Sequence, residues 1–194
     1  MANSNTQGFG LIPVGTLGST PSTQGQGAYK IDAGYSAAVI YHGAPVVSAS
    51  GYVVEGTVVT SGTTGNCGVL NGIFYNAATT LKPTWNNGYI TAVTPANSED
   101  TTAFVLDNPF QLFEIATDDA ITQAKHMETF NLNSVRGSTN TGQSTNTIDI
   151  ASTNATNYSW RVVRLADDPS NSDITAAYTS VIVQSNLNEF LRKL

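Results

Sequence analysis

The segments SWRVVRL at residues 159–165 and AYTSVIVQ at residues 177–184 decide the fold class of this chain. Both combine aromatic and β-branched residues, which suit a half-buried pleated surface, and the stretch between them is rich in Asp, Asn, Ser and Pro. Similar short runs, separated by turn-forming residues, recur at spacings of roughly ten residues from Ala28 onward. This pattern is typical of an antiparallel sandwich or barrel, so we predict an all-β fold.

The composition agrees with that prediction and excludes several other classes. Thr, Ser, Asn and Gln make up 68 of the 194 residues, and only 11% are charged, against about 25% in ordinary soluble domains. A hydrophobic share of 40% is too high for a disordered chain, whose signature is low hydrophobicity with high net charge. No apolar run approaches the roughly 18 residues of a membrane-spanning helix. One globular domain is therefore expected.

Residues 1–27 differ from the rest of the chain because they carry no charged side chain and show neither helical nor strand periodicity. They nevertheless contain spaced apolar residues, which a soluble linker does not need. We predict an extended N-terminal arm at residues 1–27 and a β-rich body at residues 28–194. The arm would dock on its own body or on a neighbouring subunit, through Phe9, Leu11, Ile12 and Val14. A disordered tail is the alternative.

Within the body we predict a single antiparallel β-barrel or sandwich with at most one or two short helices. Asn86-Asn87-Gly88 indicates a hairpin between residues 83–85 and 89–91. Residues 118–127 are the best helix candidate, with Asp118 or Asp119 as the N-cap. The polar stretch at residues 131–147 is predicted to be a long loop, of the kind that is usually functional or mobile.

No catalytic or cofactor-binding signature is present, so we predict a protein that is not an enzyme and has no cofactor or metal. The sequence lacks a phosphate-binding loop and a nucleophile elbow. His42 and His126 have no Cys or His partner at metal-ligand spacing, so hydrogen-bonding roles are favoured. Cys67 is the single cysteine, which excludes an intrachain disulfide and favours a buried, reduced thiol.

The acidic residues do not form a catalytic pair. Asp118-Asp119 and Asp167-Asp168 are sequence neighbours, and neighbours on a strand point to opposite faces. Residues 167–173 are rich in oxygen ligands but lack the order of a calcium loop. An Asp-Pro turn is favoured there, and a bound cation is the alternative.

The aromatic residues in strand-like runs are predicted to pack in the core. A sugar-binding platform would instead need exposed aromatic side chains beside polar groups. The residues concerned are Trp85, Tyr89, Phe104, Phe110, Phe113 and Trp160.

The charge distribution bears on partners and location. The net charge is −6, and the eight basic residues are scattered, which argues against a nucleic-acid-binding face. The N-terminal sequence lacks both the basic region and the apolar region that a secretory signal requires. We expect synthesis in a cytoplasm and no membrane partner.

Several short motifs follow one another along nearly the whole chain. They are Met1-Ala2-Asn3, Gly8-Phe9-Gly10, residues 13–18, Tyr29-Lys30-Ile31, residues 35–38, Gly43-Ala44-Pro45-Val46, Gly68-Val69-Leu70, residues 72–75, Asp107-Asn108-Pro109, residues 113–115, Gly142-Gln143-Ser144, Ile148-Asp149, residues 181–183 and Asn186. Their order resembles a family of decoration (cement) proteins from the virions of tailed double-stranded DNA phages. Ala44 replaces the acid that is usual in the family's Gly-Asp-Pro-Val block.

The resemblance implies a non-enzymatic protein on the capsid exterior that cements adjacent major capsid protein subunits. In that role we expect the arm anchors Phe9, Leu11, Ile12 and Val14 to contact the capsid. It implies homotrimers at threefold or quasi-threefold positions of the lattice. The residues leave a second hypothesis open, a virion fibre or a lectin-like carbohydrate-binding module, because of the polar loops and the aromatic residues. A polysaccharide-degrading enzyme is the third hypothesis, and only a few unpaired acidic residues favour it.

Overall fold

The computed structural model consists of two antiparallel β-sheets packed as a sandwich. It describes residues 3–18, 25–35, 39–56, 65–90, 93–133, 137–154 and 158–191. The described strands are β1 (Ile12–Thr16), β2 (Gly27–Ile31), β3 (Pro45–Ala49), β4 (Tyr52–Glu55), β5 (Gly68–Asn76), β6 (Pro83–Asn86), β7 (Thr101–Leu106), β8 (Gln111–Ala116), β9 (Thr129–Leu132), β10 (Ile148–Asn154), β11 (Trp160–Leu165) and β12 (Ser180–Ser185). Single-turn 3-10 helices lie at Ala96–Ser98 and Gln123–Lys125. The all-β prediction is confirmed, as a sandwich.

The first sheet has the order β1-β8-β12-β11-β9-β10. Its central strands, β11 and β12, come from the two segments that opened the sequence analysis. Val162 lies opposite Val183 in their antiparallel register, and both side chains are fully buried. Alternate residues of a strand face opposite sides of a sheet, so the β-branched residues at every second position supply the inner face.

The second sheet has the order β2-β7-β5-β3-β4. Strand β5 is nine residues long. One of its edges pairs with β7, and the opposite edge pairs with two strands. Strand β3 pairs with its start and β6 with its end. The sequence predicts a strand at residues 67–70 that residues 72–76 continue, and the structure shows one continuous strand with a register shift between Leu70 and Gly72.

The hydrophobic core consists of two clusters of buried side chains. One lies on the first sheet and includes Phe113, Phe130 and Trp160. The other belongs to the second sheet and includes Ile31, Leu70 and Ile73. Val69 and Leu106 come from strands of the second sheet and nevertheless belong to the first cluster. Strands β5 and β7 therefore contribute side chains to both clusters.

The predicted Asn-Gly hairpin is wrong. Residues 83–86 form β6, but β6 pairs with β5, where Trp85 lies opposite Phe74. Tyr89 instead makes an isolated bridge with Ile40. A long partner strand competes successfully with the local turn preference.

The predicted helix at residues 118–127 is also wrong, because its backbone donors bond to other segments. The N–H of Ile121 donates to the carbonyl of Ile174 at 3.0 Å. The Asp118 carboxylate accepts a bond from the N–H of Ile150 at 2.9 Å instead of capping a helix. Only the turn Gln123–Lys125 is helical, and its N-cap position is Thr122, without a side-chain cap.

The sequence also predicts a strand at residues 57–60 and a turn at residues 61–66. The strand and most of the turn lie outside the described residues.

Candidate interaction surfaces

Part of the predicted N-terminal arm is an edge strand of the first sheet. Strand β1 pairs antiparallel with β8, with Ile12 opposite Glu114. Beyond the strand, the N–H of Leu17 donates to the carbonyl of Phe110 at 2.9 Å. This segment therefore docks on its own chain, one of the two partners considered for the arm. The arm boundary at residue 27 stays a prediction.

The residues before β1 are held by a polar anchor at Asn3. Its side-chain amide nitrogen donates to the carbonyls of Asp173 and Ala177 and to the Thr179 hydroxyl, at 2.9–3.2 Å. The side-chain oxygen of Asn3, Oδ1, accepts a hydrogen bond from the N–H of Asp173 at 3.0 Å. The N–H of Asn5 donates to the side chain of Asn171. One amide thus ties the start of the described chain to the loop before β12.

Residues 8–11 lie against residues 142–147, which belong to the predicted polar loop. The Gln143 side chain donates to the carbonyl of Phe9 at 2.8 Å. A Cβ atom on Gly8 would lie 2.3 Å from the Thr145 carbonyl oxygen, so only glycine allows this approach.

The described part of that polar stretch is exposed at residues 139–141 and otherwise buried or half-buried. Asn131 and Leu132 complete strand β9, and Ser144, Asn146 and Thr147 are buried. The Asn146 side chain donates to the carbonyl of Asn133 at 2.9 Å. The polar side chains satisfy the hydrogen-bonding needs of buried backbone groups. This role accounts for the polar composition of the stretch, so a mobile loop is not needed to explain it.

The structure separates the four predicted arm anchors. Leu11 is 1% exposed and belongs to the first core cluster, so its side chain faces its own chain. Phe9 is half-buried. Ile12 and Val14 are 42% and 47% exposed. The role of all four in capsid contact stays a prediction, and only Ile12 and Val14 lie together on an open surface.

Two further exposed side chains extend this surface. Leu17 and Phe110 are each about half exposed, and the backbone bond between them places them side by side. We call Ile12, Val14, Leu17 and Phe110 the β1 rim. Phe110 was missed because an aromatic residue after an Asn-Pro turn also fits the start of a buried strand.

A groove of about 530 Å³ runs along the β1 rim. Val14 and Leu17 lie on one side, and Leu112 and Ile182 contribute apolar lining from β8 and β12. Pro13 lies within β1 and has no N–H to offer a further strand. The rim therefore suits contact through apolar side chains better than strand addition.

The far side of the groove is charged. Arg164 and Asp167 form an ion pair of 3.1 Å, with both side chains largely exposed. Asp168, which also lines the groove, accepts bonds from the Asn171 side chain and the Ser170 N–H. The bond from Asn171 has the larger effect and the bond from Ser170 the smaller, and together they hold the pKa of Asp168 below its usual value. The favoured Asp-Pro turn accounts for these contacts.

A second exposed surface lies on the second sheet, around Phe74 and Trp85. The Trp85 side chain crosses β5 over Gly72, because a Cβ atom there would lie 2.2 Å from Trp85 Cζ2. Its ring reaches Phe104 on β7, with ring centroids 5.2 Å apart. Phe74 is directly opposite Trp85 in the register. We call Phe74, Trp85 and Phe104 the aromatic platform.

The aromatic residues therefore divide between core and surface. Phe113 and Trp160 are buried and stack edge to face, as predicted, whereas Tyr89 and Phe104 are half-buried. The core prediction is wrong for Trp85 and Phe110, which are 52% and 50% exposed. Trp85 and its register partner Phe74 share one face of the sheet and are both exposed.

The residues considered for metal or acid–base chemistry are dispersed. Among the described residues there is no group of three or more His, Cys, Asp or Glu side chains that could hold a metal ion. His42 Nδ1 lies 2.9 Å from the carbonyl of Asn71, and His126 Nδ1 lies 3.2 Å from the Gln123 amide. Both are hydrogen-bonding histidines.

Cys67 is a buried thiol, 3.0 Å from a carboxylate oxygen of Glu189. Burial, followed by the bond to Glu189 and its charge, raises the pKa of the thiol to about 12. Cys67 is therefore protonated at neutral pH, and its thiol lacks the character of a nucleophile.

Four basic side chains are engaged within the chain. Lys30 and Lys125 donate to Thr102 and to the carbonyl of Ile150. Arg161 donates to Met127 and Asn186, and Arg164 pairs with Asp167. Lys30 lies on β2, Lys125 in a 3-10 turn, and Arg161 and Arg164 on β11.

In the part of the chain that the structure describes, no helix has the length and apolar character required to cross a bilayer. No protein-family model, curated protein or solved structure matches this chain.

Proposed function

We propose that this chain is a structural protein on the outer surface of a phage capsid. There it would cement adjacent major capsid protein subunits, as the ordered sequence motifs imply. The observation that carries the proposal is the β1 rim. Its four apolar side chains are each 42–50% exposed, and two of them, Val14 and Leu17, line a groove. Contiguous exposed apolar surface of this kind marks interaction sites in soluble proteins.

The rim fits a protein partner because it is mostly aliphatic and lies along a strand held at several points. Leu11 anchors the strand in the core, and Asn3 fixes the segment before it. A preorganised surface loses little conformational entropy on binding. The groove beside it could receive apolar side chains from a capsid subunit.

Three copies around one lattice axis would strengthen a modest contact. Linked sites can raise the overall affinity by about 100–10,000-fold without any new contact. Protein that binds only the assembled lattice stabilises that lattice by mass action. The proposed homotrimer therefore supplies cementing strength without a catalytic group. Its oligomeric state is testable by analytical ultracentrifugation.

Decoration of capsids tests the proposal. Shells that lack the protein are mixed with wild-type chain or with the double variant Ile12→Asp/Val14→Asp, and bound protein is counted by cryo-electron microscopy. We expect the double variant to lose binding by at least about 100-fold, since two charges would enter an apolar contact. Phe74→Asp, an equally exposed apolar residue on the other sheet, is the matched control and should bind normally.

Point substitutions are preferable to deletion of residues 1–18. Deletion would remove all of β1 and the buried Leu11, so loss of binding could reflect a damaged sheet. Equal binding by the double variant and the wild type would contradict the rim as the contact. Quantitative mass spectrometry of virions tests the role itself, since a cement protein requires hundreds of copies per particle. A handful of copies would favour a fibre component.

A further inference from the structure

The ring of Trp85 is fixed in place by the sheet beneath it. Its six-membered ring occupies the volume that a side chain at position 72 would fill. Its neighbour Phe104 lies at a tilt of 37° with ring centroids 5.2 Å apart. The indole therefore contacts the backbone at Gly72 and the Phe104 ring, while about half of the Trp85 surface (52%) stays exposed. A large ring held in this way offers a preorganised stacking surface.

The exposed area of the platform fits a small ligand better than a protein. Trp85 is 52% exposed and Phe74 is 40% exposed. Since aromatic side chains bury about 150–250 Å² each, these fractions amount to roughly 200 Å² of open aromatic surface. A specific protein interface needs about 800 Å² from each partner. The platform covers about a quarter of that requirement and is comparable in size to one or two sugar rings.

The polar groups beside the platform are suited to hydroxyl ligands. Thr102 lies opposite Phe74 and accepts a bond of 3.0 Å from the Lys30 ammonium. Asn71, next to Gly72 in the chain, donates to Gln26 at 2.9 Å. Amide and hydroxyl groups can both donate and accept hydrogen bonds, so they match the alternating demands of a sugar.

We propose that the aromatic platform binds a neutral glycan, with the C–H face of a pyranose ring stacked on Trp85. The negative face of the indole attracts the weakly positive C–H groups, and the neighbouring amides and hydroxyls bond to the sugar hydroxyls. Phe74 lies opposite Trp85 and extends the stacking surface toward a second ring. This binding is independent of the capsid contact, because the platform and the β1 rim lie on different sheets.

The test follows the two tryptophan indole N–H signals by NMR as the full chain is titrated with cellohexaose or with chitohexaose. Trp85 is the exposed tryptophan and Trp160, only 2% exposed, is an internal reference. We expect at least one sugar to shift the Trp85 signal saturably, with a Kd on the order of 1 mM, while the Trp160 signal stays in place.

Substitutions locate the site. Trp85→Ala should abolish the saturable shifts at the Gly72 and Phe104 amides, and Phe74→Ala should weaken binding by about tenfold. The Trp85→Phe variant keeps a smaller aromatic ring and should bind the sugar with intermediate affinity. It replaces Trp85→Ala in the test if that variant does not fold. Phe110→Ala removes an equally exposed aromatic ring outside the platform and should bind as the wild type does. The proposal is overturned if neither sugar moves the Trp85 signal at about 10 mM. Equal losses for Phe110→Ala and Trp85→Ala would also overturn it.

Discussion

The β1 rim and the aromatic platform are both exposed and apolar, but they are built in different ways. The rim is mostly aliphatic and lies along an edge strand next to a groove. The platform is aromatic and lies on the face of a sheet, with its central ring resting on a glycine. The rim thus presents separate side chains beside a depression, whereas the platform presents a flat surface.

The difference teaches that exposure alone does not identify a partner. Aliphatic side chains beside a groove can interdigitate with those of a protein, as in other well-packed interfaces. Fixed aromatic rings instead favour stacking, which needs a flat ligand. The two surfaces should therefore respond differently to substitution.

The largest effect is expected from Leu11→Ala, which tests how the rim is supported. Leu11 is 1% exposed in the first cluster, so truncation should leave a cavity and cost about 2–5 kcal/mol in the free energy of unfolding. Val14→Ala, three residues away and 47% exposed, should change it by less than about 0.5 kcal/mol. Urea unfolding of both variants measures the contrast. Equal costs would mean that β1 is not anchored through Leu11.

A smaller effect is expected from Gly72→Ala, which attacks the platform from below. The new Cβ would lie 2.2 Å from the indole and displace the ring, at a cost of about 1–3 kcal/mol. Acrylamide quenching should show a more accessible Trp85. Gly15→Ala, in strand β1, is the matched control, because a Cβ atom added there has no other atom within 4 Å. Unchanged quenching in Gly72→Ala would contradict the proposed resting position of the indole.

Asn3→Ala should loosen the segment that leads to the rim while leaving the platform intact. It removes the hydrogen bonds to Asp173, Ala177 and Thr179, at a cost of about 1–2 kcal/mol. Hydrogen exchange should accelerate at the Ser4 and Asn5 amides but not at Gly72. Asn140→Ala, at an exposed loop position, is the control. Unchanged exchange at Ser4 and Asn5 would show that other contacts hold the segment.

The smallest effect is a pH dependence at the groove. The folded pKa of Asp168 lies below its ordinary value of 3.8 because Asn171 and Ser170 donate bonds to the carboxylate. Its stabilising contribution is therefore fully present above about pH 4 and is lost as the pH falls through the folded pKa. NMR should show the Ser170 amide losing protection on acidification from pH 5 to pH 2, before the amides of the platform. The Asp168→Ala variant should not show this early loss of protection at Ser170. If the loss persists in the variant, a group other than Asp168 causes it.

The fold class was predictable because strand signals are local. The β-branched and aromatic residues of β11 and β12 fit a half-buried strand wherever it pairs. Pairing partners were less predictable. The Asn86-Asn87-Gly88 turn signal is real, but β5 offers β6 a partner that no short window of sequence reveals. Asp118 likewise accepts a bond from Ile150 across the fold rather than capping a helix, and Asp119 accepts one from the N–H of the next residue, Ala120.

The candidate surfaces were only partly predictable, since exposure depends on register. Leu11 and Ile12 are neighbours of similar apolarity, yet one is buried and the other exposed, because strand neighbours face opposite sides. The sequence identifies the segment but does not say which residue faces out. Trp85 illustrates the same point, because its exposure follows from its pairing with Phe74.

Strands β5 and β7 serve both hydrophobic clusters, and this has a consequence for how the molecule unfolds. Val69 and Leu70 are consecutive residues that enter different clusters. Separation of either sheet would strip buried side chains from these shared strands and so weaken the other sheet. Heat should therefore melt the sandwich in one cooperative transition rather than sheet by sheet, and either surface would survive only while both sheets do.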